Sequence, residues 1–371
     1  MLPLVTHIGA HRIEPNLVLA PMEGVTDLTF RRLIRQIGGA GLTVTEFVAS
    51  SGLKRGDCKM QRMAMVDPDE HPVSIQLYGR EPQAMAEGAR IVVELGADIV
   101  DINMGCPSKK VCSHSGGSAL MKDLDRARDV VRQVVAAVDV PVTVKMRSGF
   151  DAQHRNAPEL AWICQEEGAS AVAIHWRTRE DRYGGQRQVD AIARAKARLQ
   201  IPVFGNGDVV DVPSAEAMFR DTGCDGLLIG RGAIKNPWLM LQLSQWQRGE
   251  PLTVVGARER KRVMLDYLQA MRVQIRTHWT GGQVREAAVD SAALGRLKML
   301  ANQYCRPLPH GRVFRQMVLR SQHIAQATAH IERYFDWLEA CEASGVDEKL
   351  FPFADADGSE GRRHAVAGHR S

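Results

Sequence analysis

At 371 residues, 44% apolar and 25% charged, the chain has the composition of a globular protein and enough length for one large domain plus a small one. No stretch approaches the roughly 18 uninterrupted apolar residues of a membrane span, and the start has no secretory pattern, so a cytoplasmic protein without membrane attachment is expected. Net charge is only +5, but residues 251–340 hold 14 Lys+Arg against 7 Asp+Glu while the remainder holds 34 against 36. That basic segment is either a solvated helical face or a site for a polyanion. The seven cysteines are odd in number and never spaced C-x-x-C, which speaks against a disulfide framework or zinc knuckle.

In chain order, short runs rich in Val, Ile and Leu end in polar, Gly or Pro signals: LVLAPM (17–22), TVTEFV (43–48), VSIQLY (73–78), IVDINM (99–104), VTVKMR (142–147), AVAIHW (171–176), VFGNGD (203–208) and LLIGRG (227–232). The intervening segments are helical in period, as in Val130, Val131, Val134, Val135 and Val138. Eight strand–helix alternations predict an α/β fold in which parallel strands close into a (β/α)8 TIM barrel over residues 1–245. The rival is an open doubly wound sheet. It usually carries G-x-G-x-x-G after an early strand, and the only nearby candidate, GNGDVV, has Val210 in place of the third glycine.

Beyond residue 255 the strand pattern stops. Residues 255–341 read as a small all-helical C-terminal domain, ending in one long helix from Val313 through Met317, Ile324, Ile331, Phe335 and Leu338. The polar, Gly-rich stretch 352–371 is expected to be a disordered tail.

Barrel enzymes place their chemistry at the carboxyl ends of the strands. Here those ends offer Pro21, Met22, Glu46, Gln76, Asn103, Cys106, Lys145, His175, Asn206, Asp208 and Arg231. Each alone has a structural explanation, such as a buried apolar cysteine or a rim lysine with its head in water. Polar termini on every strand would be a wasteful way to build a structural barrel, so the set is read as lining a polar ligand. Glycine-rich turns after the seventh and eighth strands, with Arg231, suit a phosphate; Lys145 and Gln76 suit a planar heterocycle, and together they point to flavin mononucleotide.

APMEGVTD (20–27), TEF (45–47), QLYG (76–79), DINMGCPSKKV (101–111), VTVKMRSGFD (142–151), HWRT (175–178), NGD (206–208) and IGRGA (229–233) together resemble the tRNA-dihydrouridine synthases. By eye the APMEGV, TEFV and CPSK segments look most like the C type. The resemblance implies FMN-dependent reduction of the C5–C6 bond of D-loop uridines in tRNA, with NADPH as reductant. It places FMN against Pro21, Met22, Glu23, Gln76, Lys145, Asn206, Gly207, Asp208, Gly230 and Arg231, with Cys106 as proton donor. Asn103 and His175 would position uracil or the flavin ring, and Tyr183 would stack on or hold the extruded base. Cys112 is taken as incidental.

A thiol suits this role because its unperturbed pKa of about 8.5 leaves it protonated at neutral pH, yet acidic enough to quench an enolate. In the basic module Arg285, Arg296, Lys298, Arg306, Arg312, Arg315 and Arg320 would meet tRNA phosphates. A monomer with no obligatory protein partner is expected. The alternatives are another FMN barrel reducing a free small molecule, which leaves the basic module without purpose, and a non-catalytic tRNA-binding factor.

Overall fold

The computed structural model describes residues 4–112, 116–182, 184–279, 285–306 and 308–344. An antiparallel hairpin, β1 (Thr6–Ile8) and β2 (His11–Ile13), precedes the main sheet. The sheet contains β3 (Leu17–Leu19), β4 (Leu42–Val44), β5 (Val48–Ala49), β6 (Val73–Tyr78), β7 (Ile99–Met104), β8 (Val142–Arg147), β9 (Ala171–His175), β10 (Val203–Asn206) and β11 (Gly226–Ile229). All its pairings are parallel, in the order β4-β3-β11-β10-β9-β8-β7-β6, and a β4–β6 pairing closes the ring. The two-residue β5 continues beside β6. Eight parallel strands therefore form the TIM barrel, at the positions read from the sequence.

Strand alternation separates two cores. Leu17, Leu19, Ile75, Leu77, Val100, Ile102, Val142, Val144, Val172, Ile174, Leu227 and Ile229 belong to the large apolar shell between strands and helices. Val18, Leu42, Val44, Ala171, Ala173, Phe204 and Leu228 belong to a separate inner cluster. Ile8 and Ile13 of the hairpin join that inner cluster and plug the amino end of the barrel. The plug leaves only the carboxyl end open to a ligand. The inner positions of β6, β7 and β8 are polar instead, namely Ser74, Gln76, Asp101, Asn103, Thr143 and Lys145, so one side of the interior is built for hydrogen bonding.

The C-terminal helices Ala257–Gln274, Glu286–Tyr304, Gly311–Arg320 and Ile324–Ser344 form the basic module. The sequence predicts one helix from Val313, but the chain breaks at residues 321–323. Ser321 leaves helical geometry at ψ 133° and its hydroxyl donates to the Met317 carbonyl. The bend lets Phe314 stack on Tyr334, with centroids 3.9 Å apart and planes 2° from parallel.

The module is not tethered loosely, because its apolar residues belong to the same continuous core as the barrel shell. Polar ties reinforce the joint: the Thr29 amide donates to Gln274 Oε1 at 3.1 Å, and Arg296 donates to the Gly24 carbonyl at 2.5 Å. The expected tail at 352–371 lies outside the described residues. No helix among those residues is long and apolar enough to cross a membrane.

Candidate active site

At the carboxyl end of β7 the chain turns through Gly105, Cys106 and Pro107, and Asn103 organises the turn. Its Oδ1 accepts the amides of Gly105 at 3.1 Å and Cys106 at 2.9 Å, while its Nδ2 donates to Gln76 Oε1 at 2.7 Å. Gln76 Nε2 in turn donates to Asp101 Oδ2 at 2.5 Å, and Thr143 Oγ1 donates to Asp101 Oδ1 at 2.6 Å. A directional chain thus runs from a carboxylate inside the barrel to the Cys106 amide. Burial raises the Asp101 pKa to about 6, although its hydrogen bonds and Lys145 oppose the shift.

The Cys106 carbonyl is clamped by the Ser118 amide at 3.1 Å and hydroxyl at 2.9 Å. Gly117 makes this approach possible: it sits at φ +59°, and a Cβ there would fall 2.9 Å from the Cys106 carbonyl oxygen. The thiol packs among Phe47, Val111 and Tyr78. Burial pushes its pKa up, with Glu23 and Cys112 adding in the same direction and the Ser108 amide and Arg147 opposing. It is a protonated thiol at neutral pH, held by its backbone on both sides. Cys112 Sγ lies 3.4 Å from the Cys106 carbonyl oxygen, a supporting contact to the turn.

On the neighbouring strand, Lys145 of β8 is the register partner of Asn103. Its amino group makes no hydrogen bond or ion pair among the described residues. Burial, then the neighbouring Arg147, lowers its pKa to about 8. His175 on β9 accepts the Arg177 amide at Nδ1, 3.1 Å away, so its remaining ring proton is on Nε2. Burial first, then Lys145, Arg147, Arg177 and Arg231, hold it neutral.

Beyond β10, Asp208 sits at φ +54° and bridges two guanidiniums, Arg177 at 2.6 Å and Arg231 at 2.7 Å. Gly207 must be glycine, since a Cβ would meet the Trp176 ring at 2.5 Å. Arg177 stacks on that ring 3.9 Å from its centroid. Its Nη1 and the Trp176 Nε1 are both buried without a hydrogen-bond partner among the described residues. Buried donors left unmet beside bare glycine backbone fit a phosphate group. The lone ammonium of Lys145 and the amide of Gln76 fit a polar ring, so the residues present suit a flavin phosphate.

The candidate residues at the strand ends are therefore brought to one rim: Gln76, Asn103, Cys106, Lys145, His175, Asn206, Gly207, Asp208, Gly230 and Arg231. Pro21, Met22 and Glu23 border it from the β3 loop, where a Cβ on Gly230 would lie 3.5 Å from Met22 Sδ and where the Glu23 charge is felt at Cys106. Asn206 is turned inward and donates to the Leu228 carbonyl at 2.6 Å. Tyr183 lies outside the described residues.

Sequence reasoning gave no role to Asp101, Arg147, Trp176 or Arg177. Arg147 is buried and donates to the carbonyls of Gly105 and Thr178 at 2.9 and 2.6 Å, bracing the Cys106 turn from the next strand. Its period-two spacing from Lys145 was the available signal.

The basic residues of the module divide. Arg285, Arg306, Arg312 and Arg320 are exposed. Arg296 is half-buried against Gly24 and 3.7 Å from Asp27, Lys298 donates to the Ser321 carbonyl at 2.7 Å, and Arg315 is half-buried. Arg296 and Lys298 are structural ties rather than open phosphate ligands.

The family model for dihydrouridine synthase matches residues 18–333, most of the barrel and module together. The chain belongs to the dihydrouridine synthase family. This is an oxidoreductase family acting on tRNA uridines, and a flavin cofactor accords with it. Among curated relatives, a tRNA-dihydrouridine synthase B of Pseudomonas syringae is 40% identical over 88% of this chain and 94% of its own length. One of Xanthomonas campestris is 40% identical over 90% and 96%. These relatives carry the B designation, whereas the segments read by eye pointed to the C type. A solved complex of 2-naphthoyl-CoA reductase with 2-naphthoyl-CoA aligns with TM-score 0.51 at 14% identity, covering 67% of this chain and 52% of that one, a likeness of fold alone.

Proposed function

We propose that this synthase binds FMN at the rim, is recharged by NADPH, and reduces the C5–C6 double bond of a tRNA uridine with Cys106 as proton donor. The observation that carries the reading is a thiol kept protonated by burial and fixed in place at the mouth, on one rim with a lysine from the next strand and a pair of phosphate-type donors that are unmet among the described residues. The bound flavin supplies the hydride that is added at C6 of the pyrimidine. Cys106 gives its proton to C5, where an ordinary carboxylic acid would already be ionised. Asn103 and Arg147 hold the turn that aims the thiol. Lys145 places positive charge where the cofactor ring would lie, and neutral His175 offers an Nε2–H donor to a ring carbonyl. Arg177, Arg231 and the Gly207 backbone hold the phosphate.

With the amino end of the barrel plugged, a pyrimidine would enter at the carboxyl rim, and a base stacked in RNA must be extruded to reach it. The exposed Arg285, Arg306, Arg312 and Arg320 would hold the tRNA backbone meanwhile. The relatives support the B type.

The test is purified protein and unmodified tRNA. The protein should be yellow with a flavin spectrum, and dihydrouridine should form with NADPH. Cys106→Ala should keep flavin and its reduction while uridine reduction falls by about two orders of magnitude or more; full turnover in the variant would remove Cys106 from the mechanism.

A further inference from the structure

We propose a second phosphate-ester subsite on the barrel rim, in the cavity walled by Arg80, Lys122, Arg126 and Phe150. It rests on the reading above that the mouth takes tRNA and a nicotinamide dinucleotide. The cavity is about 350 Å³, and its wall also includes Cys112, six residues on from Cys106, so it backs directly onto the Cys106 turn. Its residues follow β6, β7 and β8, whereas the module packs on helices Leu28–Ile37 and Arg231–Lys235, which follow β3 and β11. In the closed strand order β7 and β8 stand opposite β11 and β3. The subsite therefore faces the module across the mouth.

Most of the charge there is unspent. Most arginines on this surface pair with carboxylates, but Lys122, Arg126 and Arg179 have no ion pair from their side chains among the described residues. Lys122 and Arg179 instead both lie over the Phe150 ring, 4.8 and 5.1 Å from its centroid. Arg80 is half-buried and ion-paired with Glu81 at 3.2 Å, although its Nε makes no hydrogen bond among the described residues. Asp123 is the one acid in the wall, and it is occupied in capping the next helix through the Arg126 amide at 3.0 Å. Several cations converging on a concavity select a phosphate ester. Two molecules of the proposed reaction carry that chemistry: the tRNA strand leaving the mouth, and NADPH through its 2′-phosphate.

The experiment uses the full chain with its flavin, as wild type, Lys122→Gln, and the double variant Lys122→Gln/Arg126→Gln. One arm measures calorimetric binding of adenosine 2′,5′-bisphosphate; the other measures tRNA binding across a salt series. The double variant should weaken one of the two roughly tenfold. If tRNA is the source, its log–log salt slope should fall by about one per removed cation. Lys122 is exposed, so the single variant carries the test if the double variant loses flavin content. Unchanged binding in both arms, or wild type that binds neither probe, overturns the subsite. Failure of the functional reading would show separately, as wild-type protein without flavin or tRNA without dihydrouridine.

Discussion

Asn103→Ala isolates the link between the barrel interior and the reactive thiol. The substitution removes three hydrogen bonds at once, from the Gly105 amide, the Cys106 amide and to Gln76 Oε1. Asn103 is 5% exposed, so the three former partners lose their bonds with little bulk water to replace them. At about 1–3 kcal/mol for each buried group left unmet, and with a water able to enter the vacated volume, the net loss should be about 3–5 kcal/mol. That is a large share of the roughly 5–15 kcal/mol that holds a typical domain. Freed from Asn103, the Cys106 turn would keep the Ser118 and Arg147 clamps and the weak Cys112 contact on its carbonyls, and a displacement of about 1 Å should slow uridine reduction by roughly a hundredfold. Urea denaturation gives the stability, flavin absorbance gives the cofactor content, and dihydrouridine release gives the rate. A variant within about 1 kcal/mol of wild type that turns over normally would show that Asn103 does not position the thiol.

Asp101 should leave a pH signature. Its folded pKa of about 6 lies above the ordinary 3.8, so the native state binds the extra proton and this group's contribution to stability declines as pH rises through that interval. Relative to Asp101→Asn, wild type should lose about 2 kcal/mol between about pH 4.5 and about pH 7.5 in urea titrations; a pH-independent difference contradicts the assignment. Arg177→Ala removes an unmet buried donor and the stacking on Trp176, and flavin dissociation measured by fluorescence should weaken by roughly tenfold or more. Equal flavin affinity would move the phosphate elsewhere. Arg296→Ala should lower the melting temperature without altering the salt slope of tRNA binding, while Arg312→Ala should reduce that slope by about one and leave melting unchanged. The opposite pattern would reverse their roles.

Much of the site was legible because a barrel converts sequence position into location. Once eight strands are recognised, every residue at a strand's carboxyl end is on the rim, and Cys106, Lys145, His175 and Arg231 follow without further information. What the strand pattern could not give was the partner of each side chain. Asn103 reads as a substrate ligand from its place beside the cysteine, yet its oxygen is committed to two backbone amides of that turn. Arg177 has no role in the strand pattern, yet it is 5% exposed because Trp176, Asp208 and the Gly184 carbonyl surround it. The helix from Val313 kept its apolar period across residues 321–323, so periodicity alone gave no sign of the break.

The sequence by itself determined the fold class, the amino-to-carboxyl direction of the barrel and the family, because these depend on repeated local patterns and on motifs that sit at strand ends. The tertiary structure alone decided which charges remain available. Arg296 and Arg312 are alike in sequence, but one is turned onto the Gly24 carbonyl and the other faces solvent. The physical reason is that a cation's role is set by what approaches it from distant parts of the chain, and no local period encodes that approach.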